Sequence, residues 1–504
     1  MNVELFFRKA FEHNIITSNE VSRTKELLKA ADLLWEKELR DNPKIRSIMS
    51  GEIVNPDRIS EGRILEIDHL GNEKSRPIID LVQQGGGMFG IALLGYTYIL
   101  EKVGIRFHSY GGTSAGAINA ALLAAVPNSI YQEASILDEI GRGATKSEVL
   151  THIIANTDFN SFMDRGGILG YLQELLFKNF KSWKLWLPIF LVMTTFLVGI
   201  YLSFSLIFNQ SNGVNITEAR VYDFVIGTCN VFAFTLFCYF LLIYALGSKF
   251  GINSGRAYYN WVDVLVHLFE IGNTKELKQR LMESSININA NGTIEKTIPR
   301  LVLIAANLTH NKIVKLPEEA GAYWKNPWNI NPSAYLRATM SLPFIYEVLV
   351  PDMRHYDIIE STNNVSTKAK FVDGGMLSNF PIREFHRTDG KLPSFPTFGV
   401  LLSSREPNTK EEKENAFLKY LGSYLKTFRN FYDNDFLMKN SELKMLVELV
   451  NTTEYNWLNF WMSDAEKRGL FEQGAIAAIK QLEKFDWTTY LSERNKEEGL
   501  TQFR

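Results

Sequence analysis

Twice in succession, the sequence places a glycine-rich turn between an apolar segment typical of a strand and a longer segment typical of a helix. In residues 78–104, "IIDLVQQ" runs into "GGGMFG" and then into "IALLGYTYILEKVG". In residues 106–125, "RFHSY" is followed by "GGTSAG" and "AINAALLAA". Short apolar runs bounded by glycine predict buried strands, and strands that alternate with helices predict a sheet covered by helices. The sequence therefore predicts an α/β fold.

Three later segments extend the predicted sheet. Residues 300–316, "RLVLIAANLTHNKIVKL", read as two strands around a turn at Asn311. Residues 370–382, "KFVDGGMLSNFPI", begin with a strand that ends at an Asp-Gly-Gly turn, and residues 397–404, "TFGVLLSS", read as a buried strand. Near the start of the chain, residues 20–42 are predicted to form a charged amphipathic helix.

Composition argues against several classes of function. The chain has 54 Lys and Arg against 56 Asp and Glu, a formal net charge of -2, so its net charge gives no indication of a nucleic-acid partner. Both cysteines, Cys229 and Cys238, lie in one apolar run, which excludes a secreted disulfide framework and a cysteine-rich zinc site. The start, "MNVELFFRKAFEHN", carries charges within its apolar stretch, so we expect no signal peptide and a cytosolic N-terminal part.

Two uncharged apolar runs, at residues 185–207 and 224–246, are the largest departure from an ordinary soluble composition. Each is about as long as a bilayer requires, so residues 185–246 are predicted to form a transmembrane hairpin of two helices. Basic residues precede the first run and follow the second, and by the positive-inside rule both outer ends would face the cytoplasm. The prediction is a multi-pass membrane protein with its remaining parts on the cytoplasmic side. A buried helical hairpin is the alternative.

Ser114 lies in the second glycine-rich turn, within Gly112-Thr113-Ser114-Ala115-Gly116. A nucleophile on a sharp strand-to-helix turn needs small residues two positions before and after it, because the turn brings backbones close together. The helix that follows points its free N–H groups and positive dipole end at the place where an oxyanion would form. The pentapeptide alone also occurs by chance, but its setting favours Ser114 as a nucleophile with Gly112 and Gly116 as elbow glycines.

The first glycine-rich turn is typical of an oxyanion loop. A run of glycines lets backbone N–H groups converge on one point without side chains in the way, and Gly85, Gly86, Gly87 and Gly90 form such a run. Their spacing also matches the dinucleotide-binding pattern G-x-G-x-x-G. However, no acidic residue for a ribose follows in an obvious position, and the Lys-Ser/Thr of a P-loop is absent. We therefore expect an oxyanion loop rather than a nucleotide site.

Asp373 is the candidate base for Ser114. It stands at a predicted strand end before Gly374 and Gly375, an arrangement that exposes a carboxylate in a cleft while the nearby backbone stays close. A plain Asp-Gly turn is the alternative for this motif taken alone. His386 follows Asp373, which also allows the Ser, Asp, His order of an α/β-hydrolase triad, although a lone histidine in such a segment is more often a solvated loop residue.

The three glycine-flanked elements together, in the order loop, serine elbow and aspartate turn, resemble the patatin-like phospholipase family. The resemblance covers roughly residues 77–404 without the apolar runs, and residues 338–348, "ATMSLPFIYEV", are also similar to a segment of that family. It implies a patatin-like sheet, with Ser114 as nucleophile and Asp373 as its base in a Ser-Asp dyad. It also implies that the loop glycines stabilise the oxyanion, and that a lipid acyl ester is hydrolysed through an acyl-enzyme without a metal or cofactor. Phe89 departs from the family's usual Arg or Lys before the last loop glycine.

We expect an N-terminal helical extension at residues 1–76, a patatin-like catalytic domain at 77–404 interrupted by the hairpin at 185–246, and a C-terminal helical region at 405–504. The expected function is that of a membrane-anchored serine lipid acyl hydrolase, of phospholipase A or lysophospholipase type. Its substrate would be membrane phospholipid or another acyl lipid taken from the bilayer. A triad esterase and an inactive membrane-anchored binding or scaffold protein stay open as alternatives. A transporter is disfavoured because neither run carries an intramembrane charge.

Overall fold

The structure is a computed structural model that describes residues 2–46 except 19 and 44, 63–164 except 136 and 138–142, 250–351 except 291, 292 and 325, 369–386, 396–403, and 433–486 except 434, 435, 441, 442 and 444, together with scattered positions between 166 and 235. The strands are β1 (Arg63–Ile67), β2 (Glu73–Gln83), β3 (Arg106–Thr113), β4 (Gly251–Asn253), β5 (Asn287–Ala290), β6 (Thr293–Lys296), β7 (Leu301–Asn307), β8 (Lys312–Leu316), β9 (Phe344–Tyr346), β10 (Phe371–Asp373), β11 (Thr397–Ser403) and β12 (Val447–Asn451). The helices are α1 (Val3–Glu12), α2 (Val21–Leu34), α3 (Gly90–Lys102), α4 (Ala115–Ala125), α5 (Lys146–Asn156), α6 (Arg256–Leu268), α7 (Thr274–Leu281), α8 (Pro332–Thr339) and α9 (Asp464–Lys484).

In the main sheet, β7, β3, β2, β11 and β12 are neighbours in that order, β10 and β8 pair with β7, and β1 pairs with β2. The pairs from β7 through β12 are parallel, whereas β10, β8 and β1 are antiparallel to their partners. Every residue of β3 and β7 is buried, as is typical of central parallel strands that are covered on both faces. The prediction of an α/β fold with a central sheet and flanking helices is confirmed.

Both predicted strand, glycine turn and helix units are observed. β2 ends at Gln83 before α3, and β3 ends at Thr113 before α4. Because β2 and β3 pair in parallel register, with Gln83 beside Gly112, their two turns lie next to each other at one edge of the sheet. Ligands of open α/β sheets bind at this edge, outside the carboxyl ends of the strands.

The region after residue 405 completes this body. A Cβ built on Gly95 of α3 would lie 2.0 Å from the carbonyl oxygen of Phe471 in α9, and one on Gly474 would lie 1.8 Å from that of Ala92, so glycine lets these two helices approach closely. β12 adds a parallel strand beside β11. The sequence predicts only helix after residue 405. The strand differs from that prediction because five residues are too short a pattern to distinguish an edge strand from its surroundings.

The N-terminal helices pack against the same body. The predicted amphipathic helix is observed as α2, which continues as a π-helix over Trp35–Leu39. Phe6 of α1 stacks on Phe269 with ring centroids 4.7 Å apart. β1 and the start of β2 also precede residue 77, so this part contains strands as well as helices. The division of the chain into domains stays a prediction.

The predicted transmembrane hairpin, and with it a multi-pass membrane protein with a cytoplasmic catalytic domain, is contradicted. Across the part of the chain that the structure describes, no helix is both long enough and apolar enough to cross a bilayer. Residues 185–246 lie outside the described residues apart from scattered positions. The physical reason for the wrong prediction is that run length alone does not establish a span, since an uncharged run is also compatible with a buried hairpin.

Candidate active site

Ser114 occupies a strained turn between β3 and α4. Its backbone angles are φ 52° and ψ −122°, and residues other than glycine rarely adopt a positive φ. Such a conformation costs on the order of 1–3 kcal/mol and persists only where surrounding contacts hold it. The Ser114 N–H donates to Oγ1 of Thr339 at 3.0 Å, and Thr339 donates to the carbonyl oxygen of Ile304 in β7 at 2.5 Å. The turn is thereby fastened to the central sheet.

The glycines on either side of Ser114 allow this turn to close. A Cβ on Gly112 would lie 2.4 Å from the carbonyl carbon of Gly116, and a Cβ on Gly116 would lie 2.4 Å from the carbonyl oxygen of Gln83. Backbone atoms cannot move aside as the end of a side chain can. The absence of a side chain at both positions is therefore a steric requirement of the turn.

The register of β7 brings Ser114 and Asp373 to the same place. Residues 303–307 of β7 pair with β8 along one edge, so β3 and β10 must share the other edge. On that edge Thr113 pairs with Ile304, and Asp373 pairs with Ala305. β3 runs parallel to β7 and β10 runs antiparallel to it, so the two strands end facing each other. Ser114, which directly follows Thr113, and Asp373 are therefore brought beside adjacent residues of β7.

Asp373 is buried and held at both its backbone and its side chain. Its N–H donates to the carbonyl oxygen of Ser341 at 2.9 Å, and its Oδ1 accepts from the N–H of Gly375 at 2.8 Å. The Ser114 hydroxyl donates to Sδ of Met340 at 3.2 Å. A Ser114 to Asp373 hydrogen bond is therefore not part of this structure.

Three consecutive residues thus connect to the candidate catalytic positions: Thr339 and Met340 contact Ser114, and Ser341 contacts Asp373. Sequence reasoning marked residues 338–348 as similar to the patatin-like family but gave none of them a role. The only signal was that segment resemblance, because nothing in a Thr-Met-Ser sequence indicates which strand ends it will meet. In the structure, the end of α8 places these three residues beside the turn after β3.

The glycine-rich loop is fastened at its two ends. At the start, the Gly85 N–H donates to the carbonyl oxygen of Asn379, and the Asn379 Nδ2 donates to the carbonyl oxygen of Gly85, each at 3.0 Å. At the far end, the Met88 N–H donates to the carbonyl oxygen of Trp457 at 2.9 Å. Gly87 has φ 54°, and a Cβ there would lie 2.5 Å from the same Trp457 oxygen. Sequence reasoning gave no role to Asn379 or Trp457.

Between these anchors, the backbone N–H groups of Gly86 and Gly87 have no hydrogen-bond acceptor among the residues that the structure describes. Gly90, the fourth glycine of the loop, begins α3, and a Cβ on it would lie 3.2 Å from the Cβ of Ala115. The loop and the start of α4 therefore touch. Two uncommitted backbone donors next to a strained serine are what an oxyanion site requires.

An apolar cavity of about 80 Å³ opens beside the serine turn. α4 contributes Ala115, Ile118, Asn119 and Leu122, whose spacing places them on one helix face. The other lining residues come from the glycine loop, α3, α5, α6 and the segment Phe159–Phe162, together with Met340 and Phe460. Tyr258 also lines the cavity, and burial raises the pKa of its phenol well above the usual value, so this side chain stays neutral. The cavity suits an uncharged hydrocarbon chain.

A larger cavity of about 270 Å³ has a different character. Its lining includes Glu66, Arg76 and Arg106 but neither Ser114 nor the loop glycines. Glu66 accepts from Nε of Arg106 at 2.7 Å and from Nε of Arg76 at 2.9 Å, so these charges pair with one another. This lining does not suit an acyl chain.

His386 follows the aspartate turn, and its ring packs edge-to-face on Phe436 with centroids 5.1 Å apart. The hydrogen-bond contacts described above for Ser114 and Asp373 do not include it. Within the described ranges, no group of three or more His, Cys, Asp and Glu side chains is arranged to hold a metal ion.

Comparisons with known proteins identify a family and two similar proteins. The sequence model of the family described as patatin-like phospholipase matches residues 81–386, more than half of the 504 residues. The chain is also similar to an uncharacterized protein, YqhO, of Bacillus subtilis strain 168, with 24% identity over 400 residues that cover 79% of this chain and 95% of the other. The solved structure of VipD from Legionella pneumophila aligns with 86% of this chain and 73% of its own chain, at 13% identity and a TM-score of 0.31.

The matched residues run from β2 to His386 and include the glycine loop, the serine turn and the aspartate turn. The chain therefore belongs to the patatin-like phospholipase family and is a hydrolase of lipid esters.

Proposed function

We propose that this chain is a serine lipid acyl hydrolase of phospholipase A or lysophospholipase type, with Ser114 as nucleophile and Asp373 as its general base. The observation that carries the proposal is the register of β7, which pairs Thr113 with Ile304 and Asp373 with the next residue, Ala305. A nucleophile and a base must lie within reach of each other before their chemistry matters. The register supports the proposal because it brings the ends of β3 and β10 to adjacent residues of β7.

Attack begins when the Ser114 hydroxyl turns from Sδ of Met340 toward the carboxylate of Asp373. A thioether sulfur is a weak acceptor, so little is lost when this hydrogen bond breaks. Asp373 then takes the hydroxyl proton as Oγ of Ser114 bonds to the ester carbonyl carbon. The tetrahedral intermediate collapses, its bond to the leaving alcohol breaks, and Asp373 returns the proton to that alcohol.

The negative charge that develops on the substrate oxygen is accepted by the N–H groups of Gly86 and Gly87. Both are uncommitted among the described residues, and preorganised donors of this kind typically contribute about 10²–10³-fold each to kcat. The first turn of α4 adds the positive end of its helix dipole. In the second half-reaction a water molecule replaces the alcohol: Asp373 takes its proton as the water oxygen bonds to the acyl carbon. The bond between the acyl carbon and Oγ of Ser114 then breaks, and Asp373 returns the proton to that oxygen, which restores the hydroxyl and releases the fatty acid.

The apolar cavity is the proposed site for the acyl chain. Its α4 face runs from Ala115 to Leu122, about 10 Å at the rise of an α-helix. Met340 also lines this cavity, and its unbranched, flexible side chain can adjust to the acyl chain that enters.

The test is hydrolysis by the purified chain of a panel of phospholipids, lysophospholipids and neutral glycerides, together with labelling by a fluorophosphonate. Ser114→Ala should abolish labelling and lower kcat by at least about 10⁴-fold, because Ser114 is the group that forms the acyl-enzyme in this mechanism. Ser109→Ala is the matched control, since Ser109 is a buried serine of β3, the strand that leads into the Ser114 turn, and its hydroxyl contacts His108. Equal labelling of Ser114→Ala and the parent would remove Ser114 from the mechanism.

A further inference from the structure

Asp433 lies beyond the residues matched by the family, yet it connects to the loop at the candidate active site. Its carboxylate is buried and accepts three hydrogen bonds from consecutive residues. Oδ1 accepts from the hydroxyl of Ser378 at 2.8 Å, and Oδ2 accepts from the N–H groups of Asn379 at 2.7 Å and Phe380 at 2.9 Å.

Residues 378–380 in turn hold both turns of the site. The carbonyl oxygen of Ser378 accepts from Oγ1 of Thr113, directly before Ser114, at 3.1 Å. Asn379 makes the pair of hydrogen bonds with Gly85 that fixes the start of the glycine loop. A displacement of these residues would therefore move the loop and the serine turn together.

We infer that Asp433 is a positioning residue for catalysis, which sets the glycine loop through residues 378–380. The inference rests on the proposed function, because the loop positions an oxyanion only if Ser114 is the nucleophile. Without the carboxylate, the buried N–H groups of Asn379 and Phe380 would lose their acceptor, and the segment would shift to satisfy them. A shift of about 1 Å in a catalytic group can cost about 10²-fold in rate.

Trp457 is a second anchor of the glycine loop, independent of Asp433. It also lies beyond the matched residues, and its carbonyl oxygen holds the Met88 N–H at the far end of the loop. The two uncommitted donors, Gly86 and Gly87, are thus held between an anchor that depends on Asp433 and an anchor at Trp457. The part of the chain after residue 386 consequently completes the site that the family-matched part begins.

The experiment compares Asp433→Ala with Asp433→Asn. The asparagine has the same shape, its carbonyl oxygen can accept from Asn379 and Phe380, and its amide can donate to the Ser378 hydroxyl, so it should restore the contacts. We expect Asp433→Ala to lower kcat by about 10²-fold with KM changed by less than about threefold, because the loss falls on the transition state. Asp433→Asn should keep kcat within about fivefold of the parent, as expected when the contacts are restored.

Gln481→Ala is the control for general destabilisation. Gln481 is buried in the same C-terminal region and donates to the carbonyl oxygen of Met445 at 2.6 Å, away from the loop. It should lower the melting temperature without lowering kcat. If folded Asp433→Ala keeps the parent kcat, or if Gln481→Ala lowers kcat as much, the inference is overturned. Should Asp433→Ala fail to fold, Asp433→Ser replaces it, because its hydroxyl and a water molecule can fill the space.

These outcomes stay distinct from a failure of the proposed function. If Ser114→Ala retains hydrolysis and labelling, the proposed function fails whatever Asp433 does. If Ser114→Ala is inactive and folded Asp433→Ala or Asp433→Ser is fully active, the proposed function stands and only the role of Asp433 fails. Fluorophosphonate labelling rates on the same variants provide a second readout that does not depend on the choice of lipid.

Discussion

The turn after β3 and the turn after β2 start from the same pattern, an apolar strand that runs into glycines and then into a helix. After β3 the residue with a positive φ is Ser114, and a side chain is presented. After β2 it is Gly87, and backbone N–H groups are presented. In the serine turn, Gly112 and Gly116 allow two backbone segments to approach closely. In the glycine loop, Gly87 instead allows a positive φ next to Trp457. The same local pattern thus positions two different kinds of chemical group.

The two turns also differ in what holds them. The serine turn is fastened through Thr339 to Ile304, and both of these residues lie within the family-matched part of the chain. The glycine loop is fastened to Asn379 and to Trp457, and the latter lies outside that part. A loop whose N–H groups are kept for a ligand cannot use them for its own sheet, so it needs anchors from elsewhere in the chain.

The largest loss of activity is expected from replacing Asp373, the proposed base for Ser114. Asp373→Asn should lower kcat by about 10⁴-fold, because an amide cannot take the proton of Ser114. The asparagine oxygen can still accept from the Gly375 N–H, so the aspartate turn keeps its local hydrogen bond. Steady-state hydrolysis of the preferred lipid measures the change, and circular dichroism checks that the variant is folded.

His386→Ala is the matched control for this prediction. The His386 ring packs on Phe436, and we expect kcat to stay within about threefold of the parent, far less than the 10²-fold that a general base typically contributes. A fall of about a hundredfold or more in a folded variant would contradict the dyad and favour a Ser-Asp-His triad.

An intermediate effect is expected from Gly87→Ala, which tests the glycine loop. Alanine at φ 54° costs about 1–2 kcal/mol, and its Cβ would lie 2.5 Å from the Trp457 oxygen, so the loop must shift. We expect kcat to fall by about 10²-fold, as when an oxyanion donor is lost.

Gly71→Ala separates backbone strain from loop displacement. Gly71 has φ 83° with nothing within 4 Å of a Cβ built on it, so the substitution introduces strain without a collision. It should lower the melting temperature and leave kcat unchanged. If Gly87→Ala retains the parent kcat, the loop does not position the oxyanion.

The sequence predicted those parts of the molecule whose signal is local. β2, β3, β7, α3 and α4 each carry a run of apolar residues bounded by glycine or turn residues, and all were found. The turn at Asn311 was also found, with φ 51° between β7 and β8. Ser114 and Asp373 could be selected because glycines flank both of them.

The anchors could not be predicted, because they join residues that are distant in the chain. Asp433 meets Ser378 across 55 positions, and Thr339 meets Ser114 across 225. No periodicity or spacing records such a contact. The same limitation explains the wrong prediction for residues 185–246, because the length of an apolar run does not show what surrounds it.

The smallest effect is expected from Thr339→Val, which tests the anchor of the serine turn. Valine has nearly the shape of threonine but lacks the hydroxyl that accepts from the Ser114 N–H and donates to the Ile304 oxygen. Leaving a buried polar group without its partner costs about 1–3 kcal/mol, so the unfolding free energy should fall by about that amount. The rate of fluorophosphonate labelling should fall by only about tenfold, less than the 10²-fold of a full displacement, because Gly112 and Gly116 still confine the turn.

Thr339→Ser keeps the hydroxyl and should recover most of both losses. If Thr339→Val is as stable and as rapidly labelled as the parent, the serine turn is held by α4 and its glycines alone, and only the glycine loop depends on distant anchors.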